Sequence, residues 1–297
     1  MKINMIRSDK VYQEMLELPL EKREGCFRAK ILAPFATKYQ TQHIPLKAKY
    51  PGGFDALFLL GFMNQLPSTL SEKDRPAIDS LSSDQLWQDC QDTIKRSIGL
   101  FKQAGYDLEV EDYHFTILLG NPEKPMLQLN KGYSGDGGIP GYLMLSLLPN
   151  DYTLPRVQAA LAHECNHNVR FQFVKWNQQT TLADWVVSEG LAESFAAELY
   201  GKELIGSWVT STSSEQLEEI KPIISSQLQL TGMAEMAPYL YGDEIAEIQG
   251  QLPVGMPYAA GYAYGYHLIQ TYLKKTGKSI IEATVTSTEE ILEATKD

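Results

Sequence analysis

Apolar positions recur at intervals of three and four over Ser8–Leu18, Phe54–Asn64 and Ser83–Ala104. That spacing lines them up on one face of a helix, so the first hundred residues read as mostly helical. Pro45, Pro51-Gly52-Gly53 and Pro67 mark the connections. The pattern then shortens. Tyr113–Leu119 is apolar, β-branched and bounded by Gly120-Asn121-Pro122, which predicts a strand; Tyr142–Leu148 predicts a second. Between them Gly132–Gly141 is glycine-rich and predicts a loop or irregular edge. After Pro155 the helical period returns, over 156–174, 181–201, 214–228, about 257–275 and 286–295. Strands grouped in one stretch, not alternating with helices, predict an α+β fold. The expectation is a small mixed sheet from about 110–150 on the 156–174 helix, with a helical lobe from 181 onward. A mostly helical region, 1–105, precedes a second domain, 106–297.

Charge narrows the partners. The chain carries 26 Lys and Arg against 37 Asp and Glu, a formal net charge of −11. Phosphate backbones and anionic lipids require clustered cations, so neither nucleic acid nor a membrane surface is the expected partner. Three separated cysteines, Cys26, Cys90 and Cys165, do not make a disulfide framework and suit a reducing compartment. The first twenty residues lack the apolar core of a signal peptide. The longest apolar run, Phe54–Met63, is too short to span a bilayer and contains Asp55. A cytoplasmic location is therefore expected.

The sharpest chemistry is His163-Glu164-Cys165-Asn166-His167, an H-E-x-x-H motif inside a stretch free of Gly and Pro. At about 3.6 residues per turn the two imidazoles lie one above the other, the arrangement two ligands of one zinc ion require. Glu164 lies about 100° round from His163, near such a metal without binding it, where it could hold a metal-bound water and take its proton. Cys165 points about 160° away from both histidines and shares a face with Leu161, Ala162 and Val169, so it reads as core.

A second helix adds weight. In Trp185–Phe195, Glu189 and Glu193 stand four apart on a face with Trp185, Val186, Ala192, Ala196 and Ala197. Asp184, Ser194 and Glu198 lie on the other side. Two carboxylates on an apolar face need compensation, from a metal and a ligand histidine or from buried Arg or Lys. Gly190 costs about 1 kcal/mol inside a helix, which close approach of a neighbouring helix or a substrate would justify.

H-E-x-x-H followed by W-x-x-x-E-G-x-A-E resembles the gluzincin metallopeptidases. In their aminopeptidase branch a W-L-N-E-G glutamate is the third zinc ligand, which implies that role for Glu189, 22 positions after His167. In the thermolysin branch an acidic residue four positions further on orients the first histidine, which implies that role for Glu193. Over about residues 110–275 the chain is most similar to bacterial predicted zinc-dependent proteases (domain of unknown function 2268), whose pattern adds a late G-Y-x-x-G-Y segment. The resemblance implies a zincin-like catalytic domain and one zinc ion.

The late segment Met256–His267 holds Tyr258, Tyr262 and Tyr266 at helical spacing, beside Gly261 and Gly265. A phenol is a suitable donor to the oxyanion of a tetrahedral intermediate, and simple packing is the competing use of such a stripe. Pro257-Tyr258-Ala-Ala-Gly261 matches the aminopeptidase P-Y-x-x-G tyrosine; Tyr262-Ala-Tyr-Gly265 better matches the bacterial G-Y-x-x-G. Both stay candidates, Tyr262 ahead. Gly137-Gly-Ile-Pro-Gly141 either positions backbone for an extended peptide or is an ordinary turn. The G-x-M-E-N segment by which aminopeptidases hold a free amino terminus is not found in the chain. The expected activity is thus zinc-dependent hydrolysis of peptide bonds in peptides or unfolded proteins, not aminopeptidase action. A zinc-binding, chaperone-like protein without turnover is the alternative.

Overall fold

The computed structural model describes residues 1–177 and 179–296. It is α+β, as expected, with a small mixed sheet and many helices. The chain divides into two compact units. The first comprises Met1–Arg96 with Glu109–Glu164; the second comprises Ser97–Leu108 and the chain from Cys165 onward. Of the three crossings, those at 96/97 and 164/165 fall inside unbroken helices and that at 108/109 falls in a connection.

The first unit contains four strands, β1 (Lys2–Met5), β2 (Asp112–Leu119), β3 (Tyr133–Asp136) and β4 (Tyr142–Leu147), in the order β1-β2-β4-β3. β1, β2 and β4 are parallel, and β3 returns antiparallel to β4 with Gly135 opposite Leu145. β2 is covered on both faces: Tyr113, Phe115, Thr116, Ile117, Leu118 and Leu119 are all buried. That explains its near-continuous apolar run, the mark of a strand in the middle of a covered parallel sheet. Helix α1 (Ser8–Glu17) is pinned to β2 by Tyr12, whose hydroxyl accepts the Leu119 N–H at 3.1 Å, and by Ser8, whose hydroxyl donates to the Ile117 carbonyl. Helix α2 (Asp84–Gln103) lies within the predicted 83–104 span.

The structure departs from these expectations at three places. β1 was not expected; it is four residues long and finds its partner more than a hundred positions away. The glycine-rich stretch is a strand over Tyr133–Asp136, so only its second half is irregular. The 54–64 helix contracts to Ala56–Leu60, because Asp55 caps it by accepting the Phe58 N–H at 2.9 Å and Gly61 follows its last turn.

Helix α3 (Val157–Phe173) begins in the first unit and continues into the second. Within the second unit, α4 (Leu182–Tyr200) is started by a capping box: the Thr181 hydroxyl accepts the Asp184 N–H, and the Asp184 carboxylate accepts the Thr181 N–H. From Val186 to Ala197 α4 is buried all round, not on one face: Ser188 and Ser194 are buried as well, and the Ser194 hydroxyl accepts from Gln270 Nε2 at 3.0 Å. Helices α5 (Ser214–Gln227), α6 (Met233–Tyr241) and α7 (Ala260–Thr276) surround it, and Leu182, Val186, Ile220, Ile224, Leu240 and Tyr264 share one core. Gly190 of α4 meets Gly265 of α7: a Cβ on Gly190 would lie 2.1 Å from the Gly265 carbonyl oxygen. The helical glycine is thus accounted for by close approach of a neighbour. Helix α8 (Thr288–Thr295) closes the described chain. Among the described residues no helix is long and apolar enough to cross a membrane.

Candidate metal centre

The 3-10 turn Leu154–Arg156 leads into α3, whose seventeen residues contain no Gly or Pro. His163 and His167 therefore stand one turn apart, and both are buried. Cys165, Leu161, Ala162 and Val169 are fully buried, as their shared face required. From α4, Glu189 is buried and brings its Oε2 to 3.3 Å from His167 Nε2. One ligand atom from each of His163, His167 and Glu189 lies within 4.8 Å of the others. Zinc held tetrahedrally at about 2.0–2.1 Å from N and O ligands sets those ligands about 3.3 Å apart. The His167–Glu189 separation matches that figure, and two imidazoles with one carboxylate are a suitable donor set for zinc with one position left over.

The alternative compensation for the α4 glutamates, a buried cation, has one obvious candidate in the second unit, Arg170. Its guanidinium is engaged elsewhere. Nε donates to Ser188 Oγ at 3.1 Å, Nη1 to the Thr284 and Thr286 carbonyls at 2.9 Å each, and Nη2 to Thr288 Oγ1 at 3.1 Å. Burial pulls its pKa down to about 10, which leaves it charged at neutral pH.

Glu193, one turn beyond Glu189, accepts the Gly206 N–H on Oε1 at 2.5 Å and the Trp208 indole N–H on Oε2 at 2.8 Å. Tyr262 sits in the first turn of α7, its ring 6.4 Å from that of Trp208 and 6.1 Å from that of Tyr241. Burial and the charge of Glu189 both raise the Tyr241 pKa, so this phenol stays protonated beside the carboxylate. Burial and Glu193 do the same for Tyr266. Tyr258 is not on the helix: α7 begins at Ala260, after Ala259 turns into the left-handed region at φ 54°. The expected three-tyrosine stripe is therefore Tyr262 and Tyr266, with Tyr258 in the preceding turn. His267 is exposed.

In the first unit Glu164 is buried against β3. A Cβ on Gly135 would lie 2.1 Å from Glu164 Oε1, and one on Gly137 would lie 2.3 Å from the Glu164 carbonyl oxygen. The glycines are what let this strand run over the carboxylate. β3 is last in the sheet order, so among the described residues no strand pairs with its outer edge. Past Gly135, Asp136 is held by buried Lys38, Nζ to Oδ2 at 2.7 Å. Tyr241, Trp208 and Lys38 escaped the sequence reading. Each lies far along the chain from the residue it serves, and none belongs to a recognisable spacing.

These features bring together three buried donors that could hold a metal ion. The chain belongs to the family described as predicted Zn-dependent protease (DUF2268), whose profile matches residues 86–293. It is 34% identical over 285 residues to the uncharacterized protein YjfC of Bacillus subtilis (strain 168), covering 96% of this chain and 95% of that one. It is 26% identical over 155 residues to the uncharacterized protein YjaZ of the same organism, covering 51% of this chain and 55% of that one. Similarity thus reaches well beyond 110–275 and, through YjfC, into the first ninety residues. No solved structure matches the chain.

Proposed function

We propose that this protein hydrolyses peptide bonds in peptides or unfolded proteins, with one zinc ion held by His163, His167 and Glu189. The observation that carries the reading is the convergence of two imidazoles from one helix and a carboxylate from another, with one ligand atom of each within 4.8 Å of the others. Bound there, zinc would supply a Lewis acid that polarises the scissile carbonyl and lowers the pKa of water.

The protein's own groups have separate tasks. Glu164 takes a proton from the attacking water and delivers it to the departing amine. Its side chain is confined by the Gly135 backbone, which supports a fixed carboxylate orientation. The outer edge of β3 receives the substrate as an added strand, backbone to backbone, which lays an extended peptide alongside Glu164. Tyr262 donates its hydroxyl to the developing oxyanion; its aromatic contacts with Trp208 and Tyr241 favour it over Tyr258, which stays the second candidate. Glu193 orients a ligand histidine, and its bonds to Gly206 and Trp208 hold the carboxylate that would do so.

The test is Glu164→Gln. The variant should retain zinc at the wild-type level and lose at least about a hundredfold in hydrolysis of an unstructured protein such as casein. Cleavage at the wild-type rate would refute the mechanism.

A further inference from the structure

The two ligand-bearing helices each extend their ligand stripe with an aromatic residue. On α3, His163, His167 and Phe171 are spaced i, i+4, i+8; on α4, Trp185 precedes Glu189 by four. These rings meet. Phe171 stacks on the His167 imidazole, with centroids 5.6 Å apart and planes 4° from parallel. Trp176, from the connection between the helices, packs against Phe171 at 4.7 Å and edge-on to Trp185 at 4.6 Å. The rings thus run without interruption from one ligand to the turn before the other.

Unlike the core, this ladder is not closed over. Trp176 is 36% exposed, and Phe171 and Trp185 are partly buried. Of its flanking charges, Lys175 is exposed to solvent and Asp184 is taken up by the Thr181 cap. Contiguous, partly exposed aromatic rings beside convergent polar groups have the composition of a ligand-binding wall.

We infer that Phe171, Trp176 and Trp185 wall a subsite for an apolar side chain, aromatic or long aliphatic, next to the bond cleaved. The inference rests on the hydrolysis proposed above and adds what the substrate must carry. An apolar side chain laid on these rings leaves water and gains ring contacts. A charged one would be desolvated with no partner in the ladder. Discrimination against alanine should then fall in the range of about ten- to two-hundredfold that apolar pockets achieve.

Two measurements test this. In the first, cleavage sites in a library of unstructured peptides are read by mass spectrometry for wild type and Trp176→Ala. Wild-type sites should show about tenfold or greater enrichment of Phe, Tyr, Trp, Leu and Met at one flanking position. Trp176→Ala should lower this below about threefold with zinc content and thermal midpoint unchanged. No enrichment in wild type, or enrichment that survives the substitution, overturns the subsite. The second needs no turnover. Zinc-loaded Glu164→Gln is titrated with a labelled Ala-Ser peptide carrying one Phe, or Ala in its place, and followed by fluorescence anisotropy. The Phe peptide should bind about tenfold tighter, and adding Trp176→Ala should abolish the difference. Equal affinities overturn the subsite. Preferential binding without any wild-type cleavage would instead remove the hydrolytic reading and leave the subsite standing.

Discussion

Gly135 lies so close to Glu164 that a single methyl group on the strand would fall 2.1 Å from the carboxylate Oε1. No rotation of the methyl relieves this contact, so the carboxylate must move. A displacement of about 1 Å at a reacting group costs on the order of a hundredfold in rate. Gly135→Ala should therefore lower hydrolysis by about that factor with zinc content intact, because neither ligand helix is altered. Steady-state assay beside metal analysis checks this. Wild-type activity in Gly135→Ala would show that Glu164 is not held by the strand.

Gly265 and Gly190 set the approach of α7 to α4. A Cβ on Gly265 would lie 2.0 Å from the Val186 carbonyl oxygen, a backbone atom that cannot swing aside. Alanine favours a helix over glycine by about 1 kcal/mol, whereas overpacking costs about 1–3 kcal/mol and more when backbone must shift. The clash should win. Gly265→Ala is expected to be less stable by about 2 kcal/mol in urea unfolding, and to weaken zinc binding because α4 carries Glu189. A variant as stable as wild type would contradict the close crossing.

Arg170 is a large, fully buried side chain that serves four neutral acceptors. Its removal in Arg170→Met would strand the Thr284 and Thr286 carbonyls, at about 1–3 kcal/mol for each buried unsatisfied group. Relief from burying a charge offsets part of that. The expected net loss is about 3 kcal/mol, read as a lower urea midpoint. Arg170→Lys should recover little, since one ammonium cannot span acceptors that the planar fork reaches together.

The sequence made the two ligand helices legible because each is long, lacks interior Pro, and places its polar groups at four-residue intervals. His163, Glu164, His167, Glu189 and Glu193 could be picked out on that basis, as could the close packing at Gly190. What it could not convey was pairing across distance. β1 is too short to carry a period and is defined by its register with β2, Ile3 opposite Tyr113. β3 is disguised by the glycines that allow it to cover Glu164. Tyr258 satisfies a helical spacing, yet the backbone at Ala259 turns it off the helix. Trp208 and Tyr241 become part of the site only through folding, since their links to Glu193 and Glu189 follow no local pattern.

The central claim is a zinc ion on His163, His167 and Glu189, and the most direct measurement is the metal content of protein purified without added metal. Wild type and Glu164→Gln should each carry about one zinc per chain, and Glu189→Ala much less. Added zinc should raise the thermal midpoint of metal-stripped wild type, because a ligand that binds only the folded state stabilises it. Less than about half an equivalent in wild type, with no thermal shift on adding zinc, would contradict the account.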